Sequence, residues 1–173
     1  AFSQSPGPEL RIPRGLPEPC QGASLAMPVT HKELADARDR LVHAGARGPP
    51  AAAVRRYLQL VREAKVRQSG DVAEYGAGLL EKGAGALPAD ELWLVHEQVA
   101  LAALDMGNLG LAERCVRKLD RKFEGSARVM RLKGSVLEAK GEWGKADALY
   151  QEILKENEAD QGAWKRRVAV CKG

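Results

Sequence analysis

The sequence lacks any long run of apolar residues. Its longest strictly apolar stretch extends only from Val99 to Leu104, whereas a helix that crosses a membrane needs about 20 such residues. We therefore expect a soluble or peripheral protein. Regular alternation of apolar and polar residues is also missing, so we expect no β-sheet.

Cysteine and histidine are scarce. Cys20, Cys115 and Cys171 are odd in number, far apart and without a C-x-x-C pair, which argues against a disulfide framework and against a zinc ribbon. A reducing cytosol is the simplest compartment for such a chain. The three histidines are also widely separated, so the sequence predicts no metal cluster and no cofactor.

A large excess of charge is missing too. Lys and Arg number 27 against 23 Asp and Glu, for a net charge of +4. Residues 161–173 hold four basic and no acidic side chains, so nearly all of the surplus lies at that end of the chain. This balance is unlike that of a dedicated nucleic-acid binder, and we expect no nucleic-acid partner.

Catalytic and phosphate-binding motifs are absent from the sequence. Glycines at 107 and 110, and again at 141 and 144, follow predicted helices and precede no Lys-Ser or Lys-Thr pair, so they are not a phosphate loop. His96-Glu97 has no second histidine four residues after His96, which excludes a zinc-protease motif. We predict a protein that is not an enzyme.

Proline separates an N-terminal segment from the rest. Six of the nine prolines lie in the first 28 residues, and because proline removes backbone donors, we predict that residues 1–30 are a disordered leader. Residues 31–88 show apolar positions at helical spacing between breaks that contain glycine and proline. This pattern predicts an N-terminal helical segment ahead of the repeats, which we call the lead-in. Asp71, with Glu74 three residues later, predicts a capping box at the start of one of these helices.

Residues 91–173 carry a repeat of 34 residues. The offset from Gly107 to Gly141 is one instance, and several apolar and small positions share it;. The pattern in each unit predicts two antiparallel helices, joined by a turn in which the glycine adopts a left-handed conformation. Two complete units are expected at 93–126 and 127–160, followed by a truncated third unit from 161. The repeat-defining positions are Trp93, Ala100, Gly107, Ala112, Val116, Leu119, Gly134, Gly141, Ala146, Tyr150, Ile153 and Trp164.

This period is typical of the tetratricopeptide repeat, whose pattern is W-x2-L-G-x2-Y…A-x3-F…P. The second unit follows it best, with Gly134 in the glycine position and Ala146-x3-Tyr150 in the second helix. Glutamate replaces the closing proline in both units. We predict an all-α protein, an α-solenoid of tetratricopeptide-like antiparallel helix pairs.

Cations cluster at the junction between the two units. Residues 114–133 contain eight Lys and Arg but only two acids. We select five of the cations as a candidate interaction patch: Arg114, Lys118, Arg121, Arg128 and Arg131. An acidic partner or anionic lipid headgroups would fit such a patch. The alternative is an ordinary solvated helix face.

Three segments, at 91–105, 148–156 and 163–169, carry a closer resemblance. They resemble the family of subunit 2 of the endoplasmic reticulum membrane protein complex, and the likeness extends over about residues 70–171. It implies a non-catalytic scaffold, peripheral to the cytoplasmic face of the endoplasmic reticulum membrane, in an insertase for tail-anchored and multipass proteins. The implied partners are cytosolic segments of the membrane-embedded subunits and a soluble subunit. The resemblance also implies that the chain is the N-terminal portion of such a protein.

Two alternatives remain open from the sequence. One is a free peptide-binding adaptor of the co-chaperone type. The resemblance to such adaptors implies a clamp in which lysines and asparagines hold a C-terminal carboxylate. The chain has only Asn108 and Asn157, at a turn and a helix end, and this disfavours the clamp. The other alternative is a nonfunctional truncated product.

Overall fold

The structure, a computed structural model, describes residues 29–45 and 48–172. The α-helices in this part of the chain are α1 (His31–Val42), α2 (Ala51–Glu63), α3 (Ser69–Lys82), α4 (Ala89–Asp105), α5 (Leu109–Lys122), α6 (Ala127–Ala139), α7 (Trp143–Glu156) and α8 (Gln161–Val170). A 3-10 helix (Ala84–Ala86) precedes α4, and these residues contain no strand. The predicted all-α class is confirmed. The predicted leader, residues 1–30, lies outside the described residues except for its last two.

Polar side chains fix the starts of three helices. Thr30 and Glu33 form a capping box at α1, in which the Thr30 hydroxyl accepts from the Glu33 amide at 3.2 Å;. The side chains of Asn108 and Asp160 accept backbone amides at the starts of α5 and α8. The capping box predicted at Asp71 is wrong, because α3 begins at Ser69 and its N-cap residue makes no side-chain bond.

The turns inside the two predicted repeats share one backbone geometry. Gly107 and Gly141 adopt φ values of +71° and +77°. After the first glycine, the Asn108 amide donates to the Ala103 carbonyl at 2.8 Å, and the same bond recurs 34 residues later. This bond pattern is a Schellman motif, which satisfies helix-end carbonyls and reverses the chain.

A third turn of this kind joins α2 and α3 without a glycine. Lys65 adopts φ +53°, and the Val66 amide donates to the Val61 carbonyl at 3.3 Å. The sequence does not reveal this turn, because a side chain in the left-handed region is costly and the usual glycine signal is missing. Helices α2 and α3 are therefore joined by the same type of turn as the helices of the repeats, although the predicted domain boundaries place them in the lead-in.

Within the described residues, the hydrophobic core consists of two clusters that meet at α6. The first runs from Leu34 in α1 to Val136 in α6, so the lead-in helices share a core with the first repeat. The second is smaller and contains Met130 of α6, Tyr150 of α7 and Ala163 of α8. Helix α6 therefore contributes one face to each cluster. Repeat arrays gain stability from such nearest-neighbour interfaces.

Glycine allows two pairs of helices to approach closely. A Cβ atom added to Gly134 of α6 would overlap the ring of Tyr150 on α7. A Cβ atom on Gly76 of α3 would overlap the side chain of Val99 on α4. The repeat pattern marks Gly134 but not Gly76, because Gly76 precedes residue 91, where the predicted repeats begin.

Most repeat-defining residues lie in the core. The buried ones are Ala100, Ala112, Val116, Leu119, Gly134, Ala146, Tyr150 and Ile153. The two tryptophans lie nearer the surface. Trp93 is half-buried and packs edge to face on Phe123, with ring centroids 5.6 Å apart. Trp164 is 43% exposed, and its indole N–H donates to the Glu158 carbonyl at 2.9 Å.

Candidate interaction surface

A groove runs along one side of the molecule, over helices α4, α6 and α8. It consists of two adjoining depressions with volumes of about 550 and 530 Å³. Leu101, Ser135 and Arg166 line both depressions, so the two form one continuous surface, which we call the inner groove. The α2–α3 turn and Trp143 line the depression of about 530 Å³, at one end of the groove.

The floor of the inner groove exposes large apolar side chains. Leu101 lies between the two depressions and is 44% exposed, and Trp143 is 46% exposed at the end near the α2–α3 turn. Exposed apolar groups that line a groove between helices are typical of sites for protein segments. The sequence pattern places Leu101 on a repeat helix but does not single it out.

Ion pairs link neighbouring helices along the inner groove. The five pairs are Arg62 with Glu91, Arg67 with Asp105, Arg128 with Glu97, Arg131 with Asp160, and Arg166 with Glu138. The first two join α2 and the α2–α3 connection to α4, the third joins α6 to α4, and the last two join α6 to α8 or to its N-cap residue. Each pair therefore links two different segments that border the groove.

The carboxylate is the more buried partner in each of these pairs. The Glu97 side chain is 19% exposed against 62% for Arg128, and Glu138 is 14% exposed against 47% for Arg166. The guanidinium groups therefore form the solvent-facing ends of the pairs. The surface of the groove is positive even though each pair is neutral as a unit.

The structure divides the predicted basic patch between two surfaces. Arg128 and Arg131 line the inner groove. Arg114 and Lys118 instead border a separate depression of about 320 Å³ between α3 and α5, and Arg121 is exposed on α5. The five residues do not form one surface, because the turn between α5 and α6 directs cations that are adjacent in sequence toward different sides.

His96 and Cys115 are buried beside the depression between α3 and α5. His96 is only 2% exposed, its Nδ1 lies 2.8 Å from the Leu92 carbonyl oxygen, and its Nε2 has no partner within the described residues. Burial lowers the pKa of His96, which favours the neutral ring;. Cys115 is buried nearby. In the described part of the chain, no group of three or more His, Cys, Asp or Glu residues could hold a metal ion.

We expect alkaline pH to destabilise the fold. Burial raises the pKa of Cys115 from 9.0 to about 11, and burial also raises the pKa of Tyr57 and of Tyr150 above 10.0. Because the unfolded chain loses these protons first, the stabilisation is complete below about pH 9 and is lost as the pH rises through about 11.

Urea unfolding at about pH 8 and about pH 10.5 would measure this loss, which is on the order of 2 kcal/mol for Cys115 alone. The variant Cys115→Ala should lose less stability than the unmodified chain over this interval. An equal loss in both proteins would contradict the assignment to the thiol.

The fold and the groove together define a class of protein. Antiparallel helix pairs at a period of 34 residues, closed by Schellman turns, form a tetratricopeptide-type α-solenoid, and stacked pairs of this kind create extended binding surfaces;. Within the described residues, no helix combines the length and hydrophobicity needed to span a bilayer.

Comparison with known proteins confirms the resemblance noted from the sequence. The chain is 39% identical over 111 residues to ER membrane protein complex subunit 2 of Xenopus tropicalis, covering 64% of this chain and 37% of that protein. It is 33% identical over 121 residues to the protein of the same name in Dictyostelium discoideum, covering 69% and 38%. It is also 35% identical over 83 residues to TPR repeat protein oca3 of Schizosaccharomyces pombe, covering 48% and 29%. No protein-family model matches the sequence.

The similarity to a named tetratricopeptide protein, with the all-helical structure, confirms the predicted solenoid class. The chain spans less than two fifths of the length of these relatives. The similarity therefore concerns one part of the relatives' fold.

Proposed function

We propose that this protein is a non-catalytic scaffold subunit of the endoplasmic reticulum membrane protein complex, in which it supports the insertion of tail-anchored and multipass proteins. The observation that carries the proposal is its 33–39% identity to proteins named as subunit 2 of that complex. In this role it lies peripherally on the cytoplasmic face of the membrane. There it binds cytosolic segments of the membrane-embedded subunits and a soluble partner subunit.

The geometry of the helices suits a scaffold. The ion pairs of the inner groove join successive helices, and the Schellman turns hold each helix pair antiparallel;. A groove built on packed helices keeps its shape when a partner binds, so little conformational entropy is lost. We assign the inner groove, with Leu101 at its centre, as the surface that receives a partner segment.

Co-purification from membranes tests this proposal. We expect an epitope-tagged form of the chain to be recovered with subunits of the complex after the endoplasmic reticulum is solubilised in mild detergent. The variant Leu101→Glu should reduce that recovery about tenfold, because it places a charge on the apolar floor of the groove.

The matched control is Met106→Glu, which alters an exposed apolar side chain in the turn after the same helix. Met106 does not line the inner groove, so its substitution should leave the recovery unchanged. If the unmodified chain were recovered only as a free cytosolic monomer, the scaffold proposal would fail, and the adaptor would be favoured. Equal losses in both variants would contradict the assignment of the groove.

A further inference from the structure

The inner groove is lined by more cations than carboxylates. Its carboxylates are Glu97, Asp105 and Glu138. Its cations are Arg62, Lys65, Arg67, Arg128, Arg131, Lys165 and Arg166. Of these, Lys165 is exposed and makes no ion pair with any other described residue. Glu91 and Asp160 pair with Arg62 and Arg131 from outside the lining, so the groove has two more cations than carboxylates on a surface that also exposes Leu101.

We propose that the inner groove binds an acidic protein segment that also carries large apolar side chains. This inference rests on the proposed function and specifies the chemistry of the partner segment. Carboxylates of the segment would bind the outward guanidinium groups and Lys165, and its apolar side chains would cover Leu101 and Trp143. Neither the sequence similarity nor the repeat pattern predicts this charge preference.

The arginines of the groove retain donors for a second carboxylate. A guanidinium has five N–H donors in a planar fork. Arg128 uses two nitrogens on Glu97, through Nε and Nη2 at 2.6 Å, and Arg166 contacts Glu138 through Nη1 at 3.2 Å. These side chains are 62% and 47% exposed, so donors that the glutamates do not use are accessible to a second carboxylate. The less exposed glutamates, Glu97 and Glu138, hold the arginines in place and so reduce the entropy lost on binding;.

The position of these cations favours a protein segment over a membrane surface. Anionic headgroups attract cations that project from a surface toward the bilayer. Arg131 and Lys165 instead line a depression between α4, α6 and α8, together with Leu101. A single chain segment can enter such a depression, whereas the plane of a bilayer cannot. An acidic segment also matches the charge of the groove, and this complementarity gives specificity as well as attraction.

Fluorescence anisotropy with two short labelled peptides tests the inference. One peptide repeats the unit Glu-Leu-Leu-Glu, and the other has lysine at each glutamate position. We expect the 173-residue chain to bind the acidic peptide at micromolar concentration;. Binding of the lysine peptide should be at least about tenfold weaker.

Two triple variants with equal loss of charge locate the site. Arg128→Gln, Lys165→Gln and Arg166→Gln remove three cations of the groove, and should weaken binding of the acidic peptide about tenfold or more. The control variant neutralises three exposed cations of α5 outside the inner groove, and should leave binding unchanged: Arg117→Gln, Arg121→Gln and Lys122→Gln.

A simpler variant keeps the test valid if the groove triple folds poorly. Lys165→Glu alters a side chain without an ion pair among the described residues, so it should weaken binding without changing the thermal melt. Equal binding of both peptides, or equal loss in both triples, would overturn the inference. So would binding to phosphatidylserine vesicles that the groove triple abolishes while the acidic peptide fails to bind.

The peptide-binding experiment and the co-purification experiment test different proposals, so one can fail while the other succeeds. If the chain co-purifies with the complex but does not prefer the acidic peptide, the charge preference is wrong and the scaffold role stands. If it binds the acidic peptide but never associates with the complex, the groove chemistry stands and the proposed function is wrong.

Discussion

Gly134→Ala is expected to lower the free energy of unfolding by about 3 kcal/mol. The added methyl group would overlap the ring of Tyr150, which is fully buried between α6 and α7. The ring cannot easily move away, because its hydroxyl donates to Glu138 at 2.5 Å. The two helices must therefore separate, and the contacts of the second core cluster are lost with them.

Urea unfolding followed by circular dichroism measures the effect, with Gly144→Ala as the matched control. A Cβ atom at Gly144 in α7 meets no atom within 4 Å, so this change should raise stability by up to about 1 kcal/mol. Adding Tyr150→Leu to Gly134→Ala should recover part of the loss, because the two sites are in contact. If Gly134→Ala behaved like Gly144→Ala, the close approach would be refuted.

Amide hydrogen exchange should show where the Gly134→Ala variant loosens. The second core cluster belongs to α6, α7 and α8, whereas the first extends from α1 to α6. We expect amides of α7 and α8 to exchange faster, while those of α2 to α4 stay protected. Uniform acceleration across all helices would mean that the two clusters unfold as one cooperative unit.

Tyr57→Ala is expected to lower the free energy of unfolding by about 3–5 kcal/mol. Tyr57 of α2 is completely buried, and it packs edge to face on Tyr75 with ring centroids 6.4 Å apart. Its hydroxyl donates at 3.0 Å to Asp71 of α3, which also accepts from Arg38 of α1. Truncation would leave a cavity in the first cluster and remove the group that joins three helices.

Two further variants separate the ring from the hydroxyl. Tyr57→Phe keeps the ring and should cost only about 1.5 kcal/mol, the lower end of the usual range for a hydrogen bond to a charged group. Tyr75→Ala, at a half-buried position, should cost less than Tyr57→Ala;. The measurement is again the urea midpoint of each variant. A loss in Tyr57→Phe as large as in Tyr57→Ala would assign the stability to the hydroxyl and not to packing.

Local signals explain why the repeats were predictable. Glycines in left-handed turns and small residues at helix crossings recur at fixed positions in each unit. The 34-residue offset alone therefore identifies Gly107, Gly134 and Gly141. Where the same geometry uses another residue type, the signal disappears. Lys65 closes the α2–α3 turn without glycine. Gly76 packs against Val99, but it precedes the segment in which the repeats are predicted.

The inner groove could not be predicted, because it depends on tertiary contacts. Arg128 meets Glu97 across 31 positions of sequence, and Arg166 meets Glu138 across 28. A count of charges along the chain therefore grouped Arg128 with Arg114, which borders a different depression. Burial also decides which member of each ion pair faces solvent, and a linear sequence does not contain that information.

The division of the core at α6 gives the inner groove a mechanical consequence. The groove extends from α4, whose buried side chains belong to one cluster, to α8, which packs into the other. A segment that contacts Leu101 and Arg166 together would connect the two core clusters across the groove. Because such a segment binds only the folded arrangement, its binding would stabilise the packing of α8 against the rest of the chain by mass action.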